Sequence, residues 1–304
     1  MPQIQYVPYK HIDKQKWDNC ISNAGNGLIY AHSFYLNAMA TNWDALVLDD
    51  YELVMPLVWR KKYGVYYLYE PAFTAALGVF GDKITAEILN SFLTAIPSKF
   101  KYWDFYLNHA NHFQLADFIL YERINYVLDL NKPYDQLYKS YRDNIKRNIK
   151  KAFQLNCTVQ TSIQVGEILS LAKQQLDSIS RLNNDDYNRF KKLYLLLKSK
   201  SMAVTYGIYS SAKELIASAV FFKDDKRAYY ILVGNHPNGK TLGASHALID
   251  AFIKDHAGQK LLLDFEGSDI HSLAFFYSSF GAKEEPYAGI KLNRLSWWMK
   301  LFKS

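Results

Sequence analysis

The chain has 304 residues, of which 49% are hydrophobic and 21% charged, values of a globular protein with room for two ordinary domains. A net charge of +7 suits an anionic substrate or cofactor and is too small to argue for nucleic acid by itself. The two cysteines, Cys20 and Cys157, fit no metal-ligand pattern, no signal-peptide core opens the chain, and no apolar run reaches the roughly 18 residues of a membrane span, so a reducing, cytoplasmic setting without a bound metal is expected.

The first half reads as an opening strand and helix over 1–17, then a helix over 33–39. Strands follow over 44–48, 53–60 and 65–69, parted by the Asp49-Asp50 and Lys62-Tyr63-Gly64 turns. Asp82 is placed to cap a helix running to Ile96, with Ile84, Ile88, Leu89, Phe92 and Leu93 at helical spacing. A strand over 102–107, a short helix over 109–115 and a strand over 121–128 complete this half.

A linker helix is expected over 139–153. It would carry Arg142, Lys146, Arg147, Lys150 and Lys151 on one side, with Tyr141, Ile145, Ile149 and Ala152 on the other. The basic side is either a solvated face or a phosphate-binding surface. Two helices over 164–198 break near Asn183-Asn184-Asp185-Asp186.

Strands over 203–209, 215–222 and 227–233 form a meander, followed by a helix from Thr241, a short buried strand over 260–265, a helix over 272–280 closed by Gly281, and a strand near Ile290. The order βββαβαβ thus occurs twice, and Asp104-Phe105 and Asp264-Phe265 end corresponding strands (264 − 104 = 160). Duplicated domains over 1–135 and 136–304 are expected. The tail 296–303, apolar with interspersed lysines, is expected to dock on the body.

Between the third strand of the second meander and its helix lies Asn238-Gly239-Lys240-Thr241-Leu242-Gly243. Two glycines for close backbone approach, a lysine and a threonine at a helix start suit a phosphate. An ordinary turn with two glycines is the plain alternative.

Lys240-x-x-Gly243-x-Ser245 resembles the Gln/Arg-x-x-Gly-x-Gly/Ala motif of the GNAT N-acyltransferases, with Lys240 and Ser245 as departures. Phe276-Tyr277-Ser278-Ser279-Phe280-Gly281-Ala282 resembles that family's Tyr-x-x-x-Gly-Phe helix end. The segment from Tyr141 to Ala152 is similar to the Lys-x-Arg-x-Asn-Ile-x-x-Ala stretch of FemABX-type aminoacyl and peptidyl transferases, where it marks entry to the second of two GNAT-like domains. Fem-type proteins lack a good pyrophosphate motif, in agreement with the departures here. The resemblance implies an α/β fold with a mixed sheet, the acyl-CoA N-acyltransferase (GNAT) fold in tandem. It also implies no permanently bound cofactor, and acyl-CoA or aminoacyl-tRNA as co-substrate. The donor's anionic part would rest on Asn238, Gly239, Lys240, Thr241, Gly243 and Ser245, and a tRNA on Arg142, Lys146, Arg147 and Lys150.

N-acyl transfer needs a base for the amine, a donor for the oxyanion and an acid for the leaving group. Strand alternation puts Asp264 and Glu266 on one side at the exit of their strand, and Glu266, next to Gly267-Ser268, is the preferred base. Helix capping or a lysine partner is the plain alternative for both. Tyr277 sits where the GNAT family often carries the acid for a departing thiolate; a buried core tyrosine is the alternative. His246 and His271 are read as structural. The expected function is acyl or aminoacyl transfer to an amine acceptor, small or a cell-envelope precursor, with no DNA partner. A non-catalytic binding protein on a degenerate scaffold is the alternative.

Overall fold

The computed structural model describes residues 3–176, 182–267 and 269–295, with the Leu176 and Lys240 side chains outside the description. The tail over 296–303 and Ser268 therefore lie outside the described residues. In chain order the regular elements are β1 (Ile4–Val7), α1 (Lys14–Asn23), α2 (Ser33–Met39), β2 (Asn42–Leu48), β3 (Leu53–Lys62), β4 (Val65–Tyr69), α3 (Ala86–Ala95), β5 (Phe100–Leu107) and β6 (Leu120–Asp129). Then come α4 (Tyr134–Ser140), α5 (Asp143–Gln154), β7 (Thr158–Thr161), α6 (Val165–Leu176), α7 (Asn184–Ser199), β8 (Ala203–Tyr209), β9 (Leu215–Lys223) and β10 (Arg227–Asn235). The chain continues through α8 (Pro237–Leu242), α9 (Ala244–His256), β11 (Leu262–Asp264), α10 (His271–Ser278) and β12 (Lys283–Asn293).

Local chemistry accounts for several boundaries. The Asp13 carboxylate accepts from the N–H groups of Gln15 and Lys16 and starts α1. Asn183 and Asp186 form a reciprocal capping box at α7. The cap of α3 is Thr85, whose hydroxyl accepts from the Ile88 N–H, so the helix begins after the expected Asp82. The expected single helix over 139–153 is two. Tyr141 and Arg142 are both extended and break it, because Tyr141 turns into the core against Phe280 and the Arg142 N–H donates to the Ser279 carbonyl. The short helix expected over 109–115 is one 3-10 turn, His109–Asn111.

Two compact units divide the chain, and their limits differ from a boundary at 135/136. Unit 1 joins residues 1–123 to 286–304, and unit 2 is residues 124–285. Unit 1 has the strand order β1-β2-β3-β4-β5-β12, and unit 2 the order β7-β8-β9-β10-β11-β6. The reason is pairing. The later part of β12 runs antiparallel to β5, Ala288 opposite Leu107, and the end of β6 runs antiparallel to β11, Leu128 opposite Leu263. Each unit thus takes a strand from the other half of the sequence. Both sheets are mixed: β4 with β5, and β10 with β11, are parallel pairs, each reached through a helix.

In unit 1 the core under α3 gathers Leu89, Phe92 and Leu93 against Met55, Leu57, Trp103, Phe105 and Ile290. In unit 2, α5 and α9 cover one face of the sheet with Ile145, Ile149, Ala152, Leu248, Phe252 and Ile253. Phe252 stacks on Phe221 with ring centres 3.8 Å apart.

Unit 2 also buries an ion cluster. Arg227, 5% exposed, opens β10 and donates from Nη1 to Asp264 Oδ2 (2.7 Å) and from Nη2 to Glu285 Oε1 (2.6 Å). Asn125 Nδ2 donates to Asp264 Oδ1 (2.9 Å) and to Glu285 (3.3 Å). Removing the arginine leaves the buried Asp264 and the half-buried Glu285 without their cation. Arg227→Ala is expected to lower unfolding free energy by about 3–5 kcal/mol, read by denaturant titration.

Candidate active site

The parallel pairing of β10 with β11 ends at Tyr229 opposite Asp264, while β10 continues to Asn235. Past Asp264 the backbone follows β6 instead, with the Phe265 N–H donating to the Tyr126 carbonyl. The two strands therefore part. β10 carries a register shift between Tyr230 and Leu232 beside this parting. In unit 1, β4 and β5 end their pairing at Tyr69 opposite Asp104, the equivalent place (229 − 69 = 264 − 104 = 160).

Glu266 lies just beyond the exit of β11 with φ +62°, an uncommon conformation for a non-glycine residue. Two hydrogen bonds hold it there. Asp264 Oδ1 accepts from the Glu266 N–H (2.8 Å), and Asn125 Oδ1 accepts from the Gly267 N–H (2.5 Å). Left-handed backbone on a charged residue persists only where its surroundings enforce it. Tyr277 on α10 is 8% exposed, stacks on Phe265 at 4.6 Å and meets Tyr230 edge-on at 6.5 Å. Burial first, and then the Glu266 carboxylate, push its phenol well above the ordinary tyrosine value. Glu266 and Tyr277 thus lie within electrostatic reach of each other. The structure sets Asp264 apart from them, since both its oxygens are engaged by Arg227, Asn125 and the Glu266 backbone. Asp264 positions the loop and is corrected as a base candidate.

The stretch expected to be an open phosphate loop is largely helical. Pro237 occupies the first turn of α8, and His236 Nδ1 accepts from the Asn238 N–H (3.2 Å). Thr241 Oγ1 donates to the Asn238 carbonyl and Ser245 Oγ to Asn235 Oδ1, both at 2.8 Å. The glycines serve packing. A Cβ at Gly239 would collide with the Ile216 carbonyl, and one at Gly243 (φ +74°) with the Asn148 carbonyl of α5. Those sides face the protein's own backbone, which corrects the reading of the glycines as room for a ligand. His246, in the first turn of α9, lies edge-on to Phe276 at 5.0 Å, and burial lowers its pKa to about 4, so it is neutral.

Of the four expected basic contacts, Arg142 caps α5 with its guanidinium 4.8 Å over the Phe275 ring, and Lys146 donates to the Lys139 carbonyl (3.2 Å). Arg147 and Lys150 remain exposed on α5.

No protein-family model matches the chain, and no curated protein sequence does. Solved structures do. FemX aligns with a TM-score of 0.63 at 14% identity over 93% of this chain and 96% of its own. L-PGS from Bacillus licheniformis aligns with 0.53 at 11% identity over 95% of each chain. A C-terminal domain from Agrobacterium fabrum, described as that of a lysylphosphatidylglycerol synthetase, aligns with 0.52 at 11% over 96% of this chain and 94% of that one. The fold is GNAT-like, of the Fem type. At these identities the likeness is one of architecture.

One residue escaped sequence reasoning. Glu70 follows β4 where β4 and β5 part, and its Oε2 accepts from the Tyr106 N–H (2.8 Å) while its buried Oε1 has no partner. Burial pushes its pKa up to about 8. The adjacent Pro71 reads as a strand stop, so nothing in the local pattern marks the carboxyl as buried.

The folded Glu70 holds a proton that the unfolded chain, with an ordinary carboxylate, releases above about pH 4.3. Its contribution to stability is therefore full below that pH and falls as pH rises towards 8. Glu70→Gln is expected to flatten this part of the stability–pH curve and to exceed the parent at pH 9, as read by thermal melts. Gly243→Ala is expected to cost roughly 1–3 kcal/mol without any ligand present, through left-handed backbone strain and the clash with Asn148, measured the same way.

Proposed function

We propose that the chain transfers an acyl or aminoacyl group from an activated ester to an amine at the parting of β10 and β11. The observation that carries this is the enforced left-handed Glu266 beside the buried phenol of Tyr277. The amine attacks the carbonyl carbon and gives its proton to Glu266. The new C–N bond forms as the C–O bond breaks, and the Tyr277 hydroxyl supplies a proton to the departing oxygen. Proton return from Glu266 to Tyr277 resets the pair. The GNAT-like fold shared with FemX supports transfer chemistry at this place in the sheet.

The backed glycines favour an ester over a thioester donor, because they leave little open backbone for the pyrophosphate of coenzyme A. An aminoacyl-tRNA is the ester donor that also meets the exposed Arg147 and Lys150. The acceptor is an amine, of a small molecule or a cell-envelope precursor.

Glu266→Gln and Tyr277→Phe are each expected to lower turnover of an aminoacyl-tRNA or acyl-CoA donor by about 10²–10⁴-fold with an unchanged far-UV circular dichroism spectrum. Unaltered rates in both variants would remove the assignment. The same closed loop also favours a second reading, a binding protein on this scaffold. Amine binding without transfer from any ester or thioester would select it.

A further inference from the structure

A cavity of about 830 Å³ opens in unit 2 between α4, α5, β7 and α9, and none of its lining residues belongs to the Glu266–Tyr277 site. Its volume is that of a small-ligand pocket. Three rings face it. Tyr134 and Tyr138 lie 5.7 Å apart, and Phe153 on α5 is 48% exposed, an unusual state for phenylalanine on a helix whose other face already fills the core. Two lysines line it, Lys150 on α5 and Lys254 on α9, and neither forms an ion pair among the described residues. Lys254 instead lies over the Tyr134 ring at 5.8 Å. The carboxylates of the lining are already engaged. Tyr134 donates to Asp250 Oδ1 (2.9 Å), and Tyr206 donates to Asp255 Oδ2 (2.7 Å), which leaves the exposed Asp255 with one oxygen free to accept.

Lys150 and Lys254, the latter near Asp250 and over the Tyr134 ring, make with the aromatic walls and a carboxylate oxygen a specific set. Lysines take phosphate as point charges. Flat rings take the face of a base. A carboxylate takes ribose hydroxyls. A bare phosphate uses no ring, and a glycerol phosphate headgroup offers hydroxyls to the carboxylate but no flat face to the rings.

We propose that this cavity is a binding site for a nucleoside phosphate, with the base on Phe153 and Tyr138, the ribose hydroxyls on Asp255, and the phosphate between Lys150 and Lys254. The site shares Lys150 with the RNA contact of the transfer reading but none of its reacting groups, and its test needs no turnover. The ligand is either a free nucleotide or the unpaired end of an RNA.

The test is equilibrium binding to the full chain of adenosine monophosphate, adenosine, inorganic phosphate, a short single-stranded RNA and phosphatidylglycerol vesicles. Saturable binding of adenosine monophosphate is expected, weakened by salt and at least about tenfold tighter than adenosine or phosphate alone. Phe153→Ala removes an exposed side chain and is expected to weaken it by about tenfold or more, the value of one lost stack. Lys150→Glu with Lys254→Glu is expected to abolish it, and Asp255→Asn to narrow the preference for ribose over deoxyribose. Tighter binding of the RNA, lost in the same variants, assigns the ligand to an RNA end, and equal affinity assigns it to the free nucleotide. No binding at millimolar adenosine monophosphate, binding indifferent to Phe153→Ala and the lysine pair, or vesicle binding alone overturns the proposal. Glu266→Gln, run alongside, is expected to bind as the parent does, which separates this site from the transfer site.

Discussion

Arg227 stands at the first residue of β10 with its guanidinium almost wholly out of water, and its hydrogen bonds reach the end of β11 and the start of β12 at once. Such a cluster contributes little net stability, because desolvation offsets most of the attraction. Its value is geometric. With Asp264 held by the arginine and by Asn125, the backbone after β11 has one course, and Glu266 and Gly267 enter left-handed conformations in succession. The place where β10 and β11 separate, the orientation of Glu266 and the seat of Tyr277 all depend on that anchorage.

α5 fills a similar organising role on the opposite flank of α9. Its apolar stripe of Ile145, Ile149 and Ala152 covers the core, and its Asn148 carbonyl abuts Gly243 at the junction of α8 and α9. A helix packed there removes the nearby backbone from ligand contact and leaves the outward basic side chains as the available cations. Arg147 and Lys150 are the exposed cations on this side of α5.

Much of the fold was legible from the sequence. The strands over 65–69 and 203–209 and the helix over 33–39 were bounded to the residue, because aromatic and β-branched runs met clear turn signals. Glu266 and Tyr277, singled out from strand exit and helix position, lie within electrostatic reach of each other. Other features depend on contacts distant in sequence. Tyr141 reads as helical until Phe280 is in place to receive it, and Asp264 reads as a free carboxylate until Arg227 is known to face it. Thr85 outcompeted Asp82 as a cap because the hydroxyl lies at the distance that reaches the Ile88 N–H. The glycines of the 238–243 segment matched a ligand motif, yet the atoms they admit are carbonyls of Ile216 and Asn148, which no local pattern encodes.

The exchange of strands between the halves has a bearing on synthesis. β5 of unit 1 pairs with residues 288–293, so almost the whole of unit 2 leaves the ribosome before the sheet of unit 1 can close on that side. Unit 2 has its borrowed β6 in hand early and can finish first, although it lies later in the chain. Until then β5 presents an unpaired edge of Trp103, Phe105 and Leu107, an invitation to foreign strands. A nascent chain built this way is most vulnerable in its first half while its second half matures, the reverse of the usual order in proteins whose domains follow one another along the sequence.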